Sequence, residues 1–503
     1  MLNNRKTGIL MSYGYTLINM FSGLFLSSFL LRSLGDFEYG LYQTVSAFVS
    51  YLVILEFGTG TVMCRNLLIA RKSNDEEKIK KVTATMFYIT AFLTVVIFVV
   101  GVVFTVLIPK IYADNIPKDK LFYAQKIFVV MLFYLIVSFF TQTLSGMYLG
   151  NENYTVTNIF NITKLVSRLV LLIVFVTLYD KAITIALVDA FISVGVIIFS
   201  FFYVKSKYVI SLKLKYFDKE ILKESLPLCF ALLLQVIISQ ANSNVGKFVI
   251  SIKMTMEHVS LYSVAMYVYN MFSSITTIPI SMYMPQVSKS INKGVIEKEG
   301  LENTLISSGR LNSLIGGTIL FGFIAVGKPF INVVYGKSYE SAWIYAIIVL
   351  IPMFLNMTVG CIINVLDMLN KRQVRSYILA ISTAINIALA IALTDRYGMA
   401  GAITGTTVGL FLGQVLLSNI YYQKALSINV IKIYLQSFKG ILISEIIAVI
   451  IGGLIAYFIT NKVLALLLGG FAFVIVEAIC LLLFGLNKQE KGIATGFLTK
   501  LKK

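Results

Sequence analysis

TVTNIFNITKLVSRLVLLIVFVTLY, residues Thr155–Tyr179, is long and apolar enough to cross a bilayer as one helix, yet it carries Lys164 and Arg168. Those two lie four residues apart and share one helix face, which Thr157 and Asn161 extend. A cation at mid-membrane costs roughly 2.5–3.5 kcal/mol on insertion scales, and adjacent like charges cost more. The stripe therefore calls for a hydrated cavity, a counter-charge or an anionic ligand.

The rest of the chain sets that stretch in context. Of 503 residues, 58% are hydrophobic and only 13% charged, the charges clustering between apolar runs. A mean hydropathy of +0.84 excludes an ordinary soluble protein. The reading is an all-α polytopic membrane protein of about 14 transmembrane helices. They fall near 8–30, 40–62, 82–108, 121–148, 155–178, 182–204, 225–250, 259–287, 304–326, 341–366, 375–394, 398–421, 435–459 and 463–486. Arg5 and Lys6 precede the first run with no small-residue cleavage site, which reads as an uncleaved first span.

Charge sets the orientation. With a cytoplasmic N-terminus, the inside segments (Arg71 to Lys81, Lys205 to Lys223, Lys488 to Lys503 among them) hold far more Lys and Arg than the outside loops. This is the positive-inside bias, with both termini cytoplasmic. The net charge of +19 is thus topological, and no nucleic-acid partner is expected. His258 is the only histidine, and Cys64, Cys229, Cys361 and Cys480 are scattered. Neither a metal site, nor a His-based catalytic group, nor a cofactor is expected from that inventory.

An internal repeat is visible at an offset near 220 residues. Gly40-Leu41-Tyr42 matches Ser260-Leu261-Tyr262, and Met147-Tyr148-Leu149 falls opposite Asp367-Met368-Leu369. This predicts two six-helix lobes in parallel repeat, 1–204 and 225–422, joined by a basic cytoplasmic linker at 205–224. Two extra helices and a tail follow at 423–503. Substrate is expected between the lobes, near the midplane.

Other polar groups lie inside spans. Lys126, Arg310 and Lys439 sit close enough to span ends to snorkel, whereas Lys247 is deeper. The seventh helix, LCFALLLQVIISQANSNVGKFVI, shows Gln235, Ser239 and Asn242 on one stripe and Gln240, Asn244 and Lys247 on the next. The first helix shows Ser12, Thr16 and Asn19 at the same spacing, and together these suggest a shared lumen. Interhelical hydrogen bonding is the alternative. Glu56 and Asp189 either counter Lys164 and Arg168 or carry a coupling Na⁺ or H⁺. Glu445 and Glu477 pair with each other or with Lys439, and Gly409-xxx-Gly413 is a close-packing signal.

Several motifs then carry a resemblance. LRSLGDFEYGLYQTVSAFVSYLVILEFGTGTVMCR (Leu31–Arg65) contains Leu34-Gly35, Tyr39-Gly40, Phe57-Gly58 and Arg65. With Leu261–Lys289, Val333–Trp343 and RYGMAGAITGTTVG (Arg396–Gly409), it resembles the polysaccharide flippases, the Wzx-type branch of the multidrug/oligosaccharidyl-lipid/polysaccharide exporter superfamily. The resemblance implies a MATE-like fold in the bacterial cytoplasmic membrane. It implies movement of undecaprenyl-pyrophosphate-linked oligosaccharide to the outer leaflet by alternating access, coupled to H⁺ or Na⁺. Membrane lipids and polysaccharide polymerase or assembly proteins are the implied partners. The lipid II flippase shares the superfamily, but its DAF-type motif is replaced here by GDFEYG, and this first helix lacks that branch's arginines. On this reading Lys164 and Arg168, helped by Lys247, hold the diphosphate, while Asn19, Asn161, Gln235, Gln240, Asn242 and Asn244 meet sugar hydroxyls. A MATE-like cation-coupled small-molecule or drug exporter is the alternative, and it predicts an acidic cavity. An enzyme would need a large outer loop or a catalytic cluster, and neither is present in the sequence.

Overall fold

The computed structural model describes residues 2–72, 75–112, 116–292, 295–296, 298–369, 371–487 and 490–492. Within these, the side chains at 2–13, 16–17, 72, 154, 231, 234–235, 238–239, 241–243, 281, 285, 289, 292, 295–296 and 372 are not described. The chain forms two compact units, Met1–Ser260 and Leu261–Lys503.

The first unit holds α1 (Leu2–Leu52), a 3-10 turn (Val53–Glu56), α2 (Thr59–Lys72), α3 (Glu76–Ile111) and α4 (Lys118–Gly150). α5 (Tyr154–Leu178), α6 (Ala182–Lys207) and α7 (Lys219–Lys253) follow, and α8 (Met256–Met282) begins at its end. A straight helix as long as the 51-residue α1 would measure about 76 Å, well over twice a hydrocarbon core of about 30 Å. It therefore breaks, at Gly35, whose φ of 77° and ψ of 171° are open only to glycine. The second span ends just as abruptly: Phe57 and Gly58 both adopt positive φ between the 3-10 turn and α2. Two motif glycines are thus backbone breaks.

Caps fix the helix starts. The Asp218 carboxylate accepts from the Glu220 and Ile221 amides at 2.8 and 3.3 Å, opening α7. Burial opposes its ionisation, but these amides and nearby Lys81 hold the carboxyl below the usual range. Glu38, in the GDFEYG turn, accepts from the Ala182 amide at 2.9 Å and from Tyr123 Oη at 3.0 Å. It thereby caps α6 from a distant part of the chain.

The second unit continues α8 and adds α9 (Met284–Lys289), a two-residue antiparallel pair (Ile291–Asn292 with Val295–Ile296) and α10 (Lys298–Tyr335). Next come α11 (Ala342–Thr358), α12 (Ile362–Met368), α13 (Arg372–Leu410) with a π-helical segment Phe411–Leu417, and α14 (Ser418–Leu426). α15 (Val430–Phe438), α16 (Ile441–Phe458) and α17 (Lys462–Cys480) complete it. Among the described residues nine helices are long and apolar enough to cross a membrane, ten if α11 and α12, bent by 51°, count as one span. Two of the nine, Ile18–Arg71 and Gln373–Leu426, are 54 residues long and contain the breaks at Gly35 and Gly398.

Gly398 (φ 57°, ψ −136°) folds α13 into a hairpin. A Cβ on Gly405 would sit 2.6 Å from the Ala390 amide nitrogen, and one on Gly409 2.5 Å from Asn386 Cβ. Gly401 and Gly413 lie as tightly against Leu393 and Ser382. The Gly409-xxx-Gly413 signal is therefore one end of a four-glycine seam, meeting backbone at Gly401 and Gly405 and the Asn386 and Ser382 side chains at Gly409 and Gly413. Gly405→Ala is expected to cost about 1–3 kcal/mol by overpacking. Gly470→Ala on α17, whose Cβ meets nothing within 4 Å, should leave thermal unfolding in detergent unchanged.

One sequence reading changes here. Arg310 does not snorkel: it is 7% exposed and closes the end of the unit. Its guanidinium donates to both Glu490 oxygens at 2.8 and 2.9 Å, and to the carbonyls of Gln436 (3.1 Å), Lys439 (3.1 Å) and Gly485 (2.7 Å). Burial works against Glu490 ionising, but Arg310 and the Asn487 amide hold its carboxyl below the ordinary range.

Candidate functional site

The first unit encloses a cavity of about 600 Å³. α5 supplies its cationic wall through Thr157, Asn161, Lys164 and Arg168, spaced to fall on one face. Val166, Val170 and Val174 form the opposite stripe and are about half exposed, as a lipid-facing surface is. The sequence pattern of α5 thus sorts into an apolar outside and a polar inside. Both arms of α1 contribute, through Asn19 and Tyr42, and the 3-10 turn contributes Glu56.

The two cations are in different states. Arg168 Nε donates to Asp189 Oδ1 at 2.6 Å and Nη2 to Oδ2 at 3.0 Å, a bidentate pair reaching from α5 to α6. Such a fork is the strongest geometry an arginine offers a carboxylate, and it cancels both charges locally. Lys164 has no carboxylate within ion-pair distance among the described residues. Its Nζ lies 5.8 Å from the centroid of the Tyr134 ring, a weak cation–π contact. Among the described residues the cavity therefore presents one ammonium outside any ion pair beside a paired guanidinium and carboxylate.

The predicted site residues divide accordingly. Lys164, Arg168, Asn19, Asn161, Glu56 and Asp189 all line the cavity. Lys247, Gln240 and Asn244 are not among its lining residues. The Lys247 ammonium donates to Gln43 Oε1 at 3.2 Å, and the Asn244 amide to Gln240 Oε1 at 2.8 Å. The side chains of Gln235 and Asn242, with those of Ser12, Thr16 and Ser239, lie outside the described residues.

Sequence reasoning passed over the α4 wall. Tyr134, Ser138, Thr141, Gln142 and Ser145 line the cavity at helical spacing. A neutral polar stripe in an apolar helix was the available signal, repeating the i, i+4, i+7, i+11 pattern seen on α5. Chemically the chamber offers hydroxyls and amides, aromatic faces, the Lys164 ammonium, the Arg168–Asp189 pair and the Glu56 carboxylate. An ammonium outside any ion pair can take an anionic group, and the neutral polar walls can take a polar body.

The polysaccharide biosynthesis protein family matches residues 5–291, more than half the chain. No curated protein matches it. Among solved structures, the lipid II flippase MurJ in an inward closed conformation superposes with a TM-score of 0.69. The identity is 14%, covering 94% of this chain and 99% of that one. An inward-facing multidrug resistance MATE family transporter of the MOP superfamily gives 0.63 at 15% identity, covering 82% and 94%. The Vibrio cholerae MATE transporter VcmN in its bent form gives 0.54 at 14%, covering 84% and 97%. At such identities these likenesses bear on fold alone, and the fold is that of flippases and transporters. The protein is a multi-pass, all-helical membrane protein with a MurJ/MATE-like fold, and by its match over residues 5–291 it belongs to the polysaccharide biosynthesis protein family.

Proposed function

We propose that this protein is a flippase that carries undecaprenyl-pyrophosphate-linked oligosaccharide from the inner to the outer leaflet of the bacterial cytoplasmic membrane, with both termini cytoplasmic. The observation that carries the reading is the free ammonium of Lys164 inside a polar cavity whose other lysine-or-arginine charge, Arg168, is already matched by Asp189. In a low-dielectric chamber an unmatched cation is costly until an anion arrives, and a diphosphate is such an anion. Asn19, Asn161 and the α4 hydroxyls meet the sugars, and the polyprenyl tail stays in the lipid. Alternating access driven by H⁺ or Na⁺ moves the cargo, and a polymerase receives it outside. Glu56 is the carboxylate left for the coupling ion, since Asp189 is engaged.

The test is reconstitution of the purified chain into proteoliposomes with a fluorescent undecaprenyl-pyrophosphate oligosaccharide, with and without H⁺ and Na⁺ gradients. Gradient-dependent transfer of the label to the far leaflet is the expected result. Failure to move it, combined with uptake of lipophilic cationic dyes, would instead identify a MATE-like exporter.

A further inference from the structure

In the second unit, α10, α16 and α17 pack together around two carboxyl groups that the proposed transport path does not use. Glu445 on α16 is 0% exposed and Glu477 on α17 is 3% exposed. Neither oxygen of Glu445 finds a hydrogen-bond partner among the described residues. Its Oε1 is laid against α10 where Gly317 leaves room, 2.6 Å from where a Cβ would stand. Glu477 Oε1 is in short hydrogen-bond contact with Thr318 Oγ1, one residue further along α10. That same hydroxyl also lies 2.8 Å from the Leu314 carbonyl, the usual back-bond of a helical threonine.

A threonine hydroxyl carries one hydrogen. If Thr318 gives it to the Leu314 carbonyl, which can only accept, the contact with Glu477 needs a hydrogen from the carboxyl. Glu477 is then a neutral acid donating to Thr318; otherwise Thr318 donates to Glu477 and gives up its back-bond. Among the described residues no lysine or arginine, Lys439 included, forms an ion pair with either carboxyl. α16 carries no charged residue besides Glu445, and α17 adds only Lys462 at its far end. On α10, Arg310 is committed to Glu490, and Lys328 to Glu340 at 2.7 Å. Lys432 of α15 pairs with Glu302. Two carboxylates in such a setting cannot both be ionised.

We propose that Glu445 and Glu477 form a proton-binding site, in which a proton held on this carboxyl pair pins α16 and α17 to α10. Loss of that proton sets unscreened carboxylates against one another in the helix trio and loosens it. The bound state is favoured at low pH and the stabilisation is lost as pH rises, the reverse of an ordinary surface carboxylate. The inference is independent of what the first-unit cavity carries, and its test does not read transport.

The full-length protein in detergent is treated with dicyclohexylcarbodiimide, which reacts with protonated carboxyls in apolar surroundings, and adducts are mapped by mass spectrometry across a pH series. Adducts at Glu445 or Glu477 are expected, falling at least tenfold from the acid to the alkaline end. Thermal unfolding should likewise weaken towards alkaline pH in the wild type. Glu445→Gln/Glu477→Gln, in which the amide at 477 can still donate to Thr318, should remove that alkaline slope while folding normally. Absence of adducts at both positions throughout, or an alkaline slope unchanged in the double variant, overturns the proposal. So does adduct formation that is suppressed by Na⁺ at constant pH, which would assign the pair to a metal cation.

Discussion

Lys164→Ala is expected to weaken binding of a lipid-linked pyrophosphate by about 10- to 100-fold, while leaving the fold intact. The magnitude follows from the net worth of a hydrogen bond to a charged group, about 1.5–3 kcal/mol, at about 1.4 kcal/mol per factor of ten. The fold is spared because the Lys164 ammonium forms no ion pair or hydrogen bond among those described, only a long contact with the face of Tyr134. Removing an unmatched cation from a membrane-embedded cavity even relieves a desolvation cost. Lys164→Arg keeps the charge and should retain most of the affinity. A neutral or cationic cargo would give the opposite pattern, with Lys164→Ala binding as well as the wild type or better.

Arg168→Ala is expected to behave differently, as a stability lesion. It strands Asp189, whose side chain is only 13% exposed, and breaking a buried pair from one side costs about 3–5 kcal/mol. The cost should fall at the lower end, because a third of the Arg168 side chain remains reachable by solvent. Arg168→Gln/Asp189→Asn removes both charges together and should recover most of that loss. The non-additivity of the cycle, read from thermal unfolding of each variant in detergent, measures the coupling between α5 and α6. The neutral double variant still has Lys164 and should still bind the pyrophosphate. A Lys164→Ala/Arg168→Ala protein, by contrast, mixes a binding defect with a folding defect and separates nothing.

Much of this site was legible because charge inside an apolar helix has so few explanations. Lys164 and Arg168 called for a cavity, a counter-charge or an anionic ligand, and Asp189 was already one of two candidate partners. What could not be read was that Asp189 takes Arg168 and leaves Lys164 free, since both cations share one face and the choice is geometric. Neutral polar residues carried a weaker signal. The α4 stripe was overlooked, although it lines the chamber. On α7, the Asn244 amide donates to Gln240 one helical turn away, an intrahelical contact that spacing alone does not separate from a lumen-facing stripe. Arg310 was read as a snorkelling residue because its partner, Glu490, is 180 positions away in the chain. The motif glycines of the flippase resemblance were visible, but their jobs were not. Gly35 and Gly398 are chain breaks, whereas Gly401, Gly405, Gly409 and Gly413 form a seam only when the hairpin closes.

Photo-crosslinking tests directly whether a pyrophosphate meets Lys164 inside the first-unit cavity. An undecaprenyl-pyrophosphate sugar with a photoreactive group beside the diphosphate would be bound to the full-length protein, activated, and its adducts mapped. The predicted result is labelling of α5 around Asn161–Arg168 and of facing cavity residues such as Tyr42 and Tyr134, lost in Lys164→Ala and kept in Lys164→Arg. Labelling confined to the exposed stripe of Val166, Val170 and Val174, or equal labelling in Lys164→Ala, would contradict it.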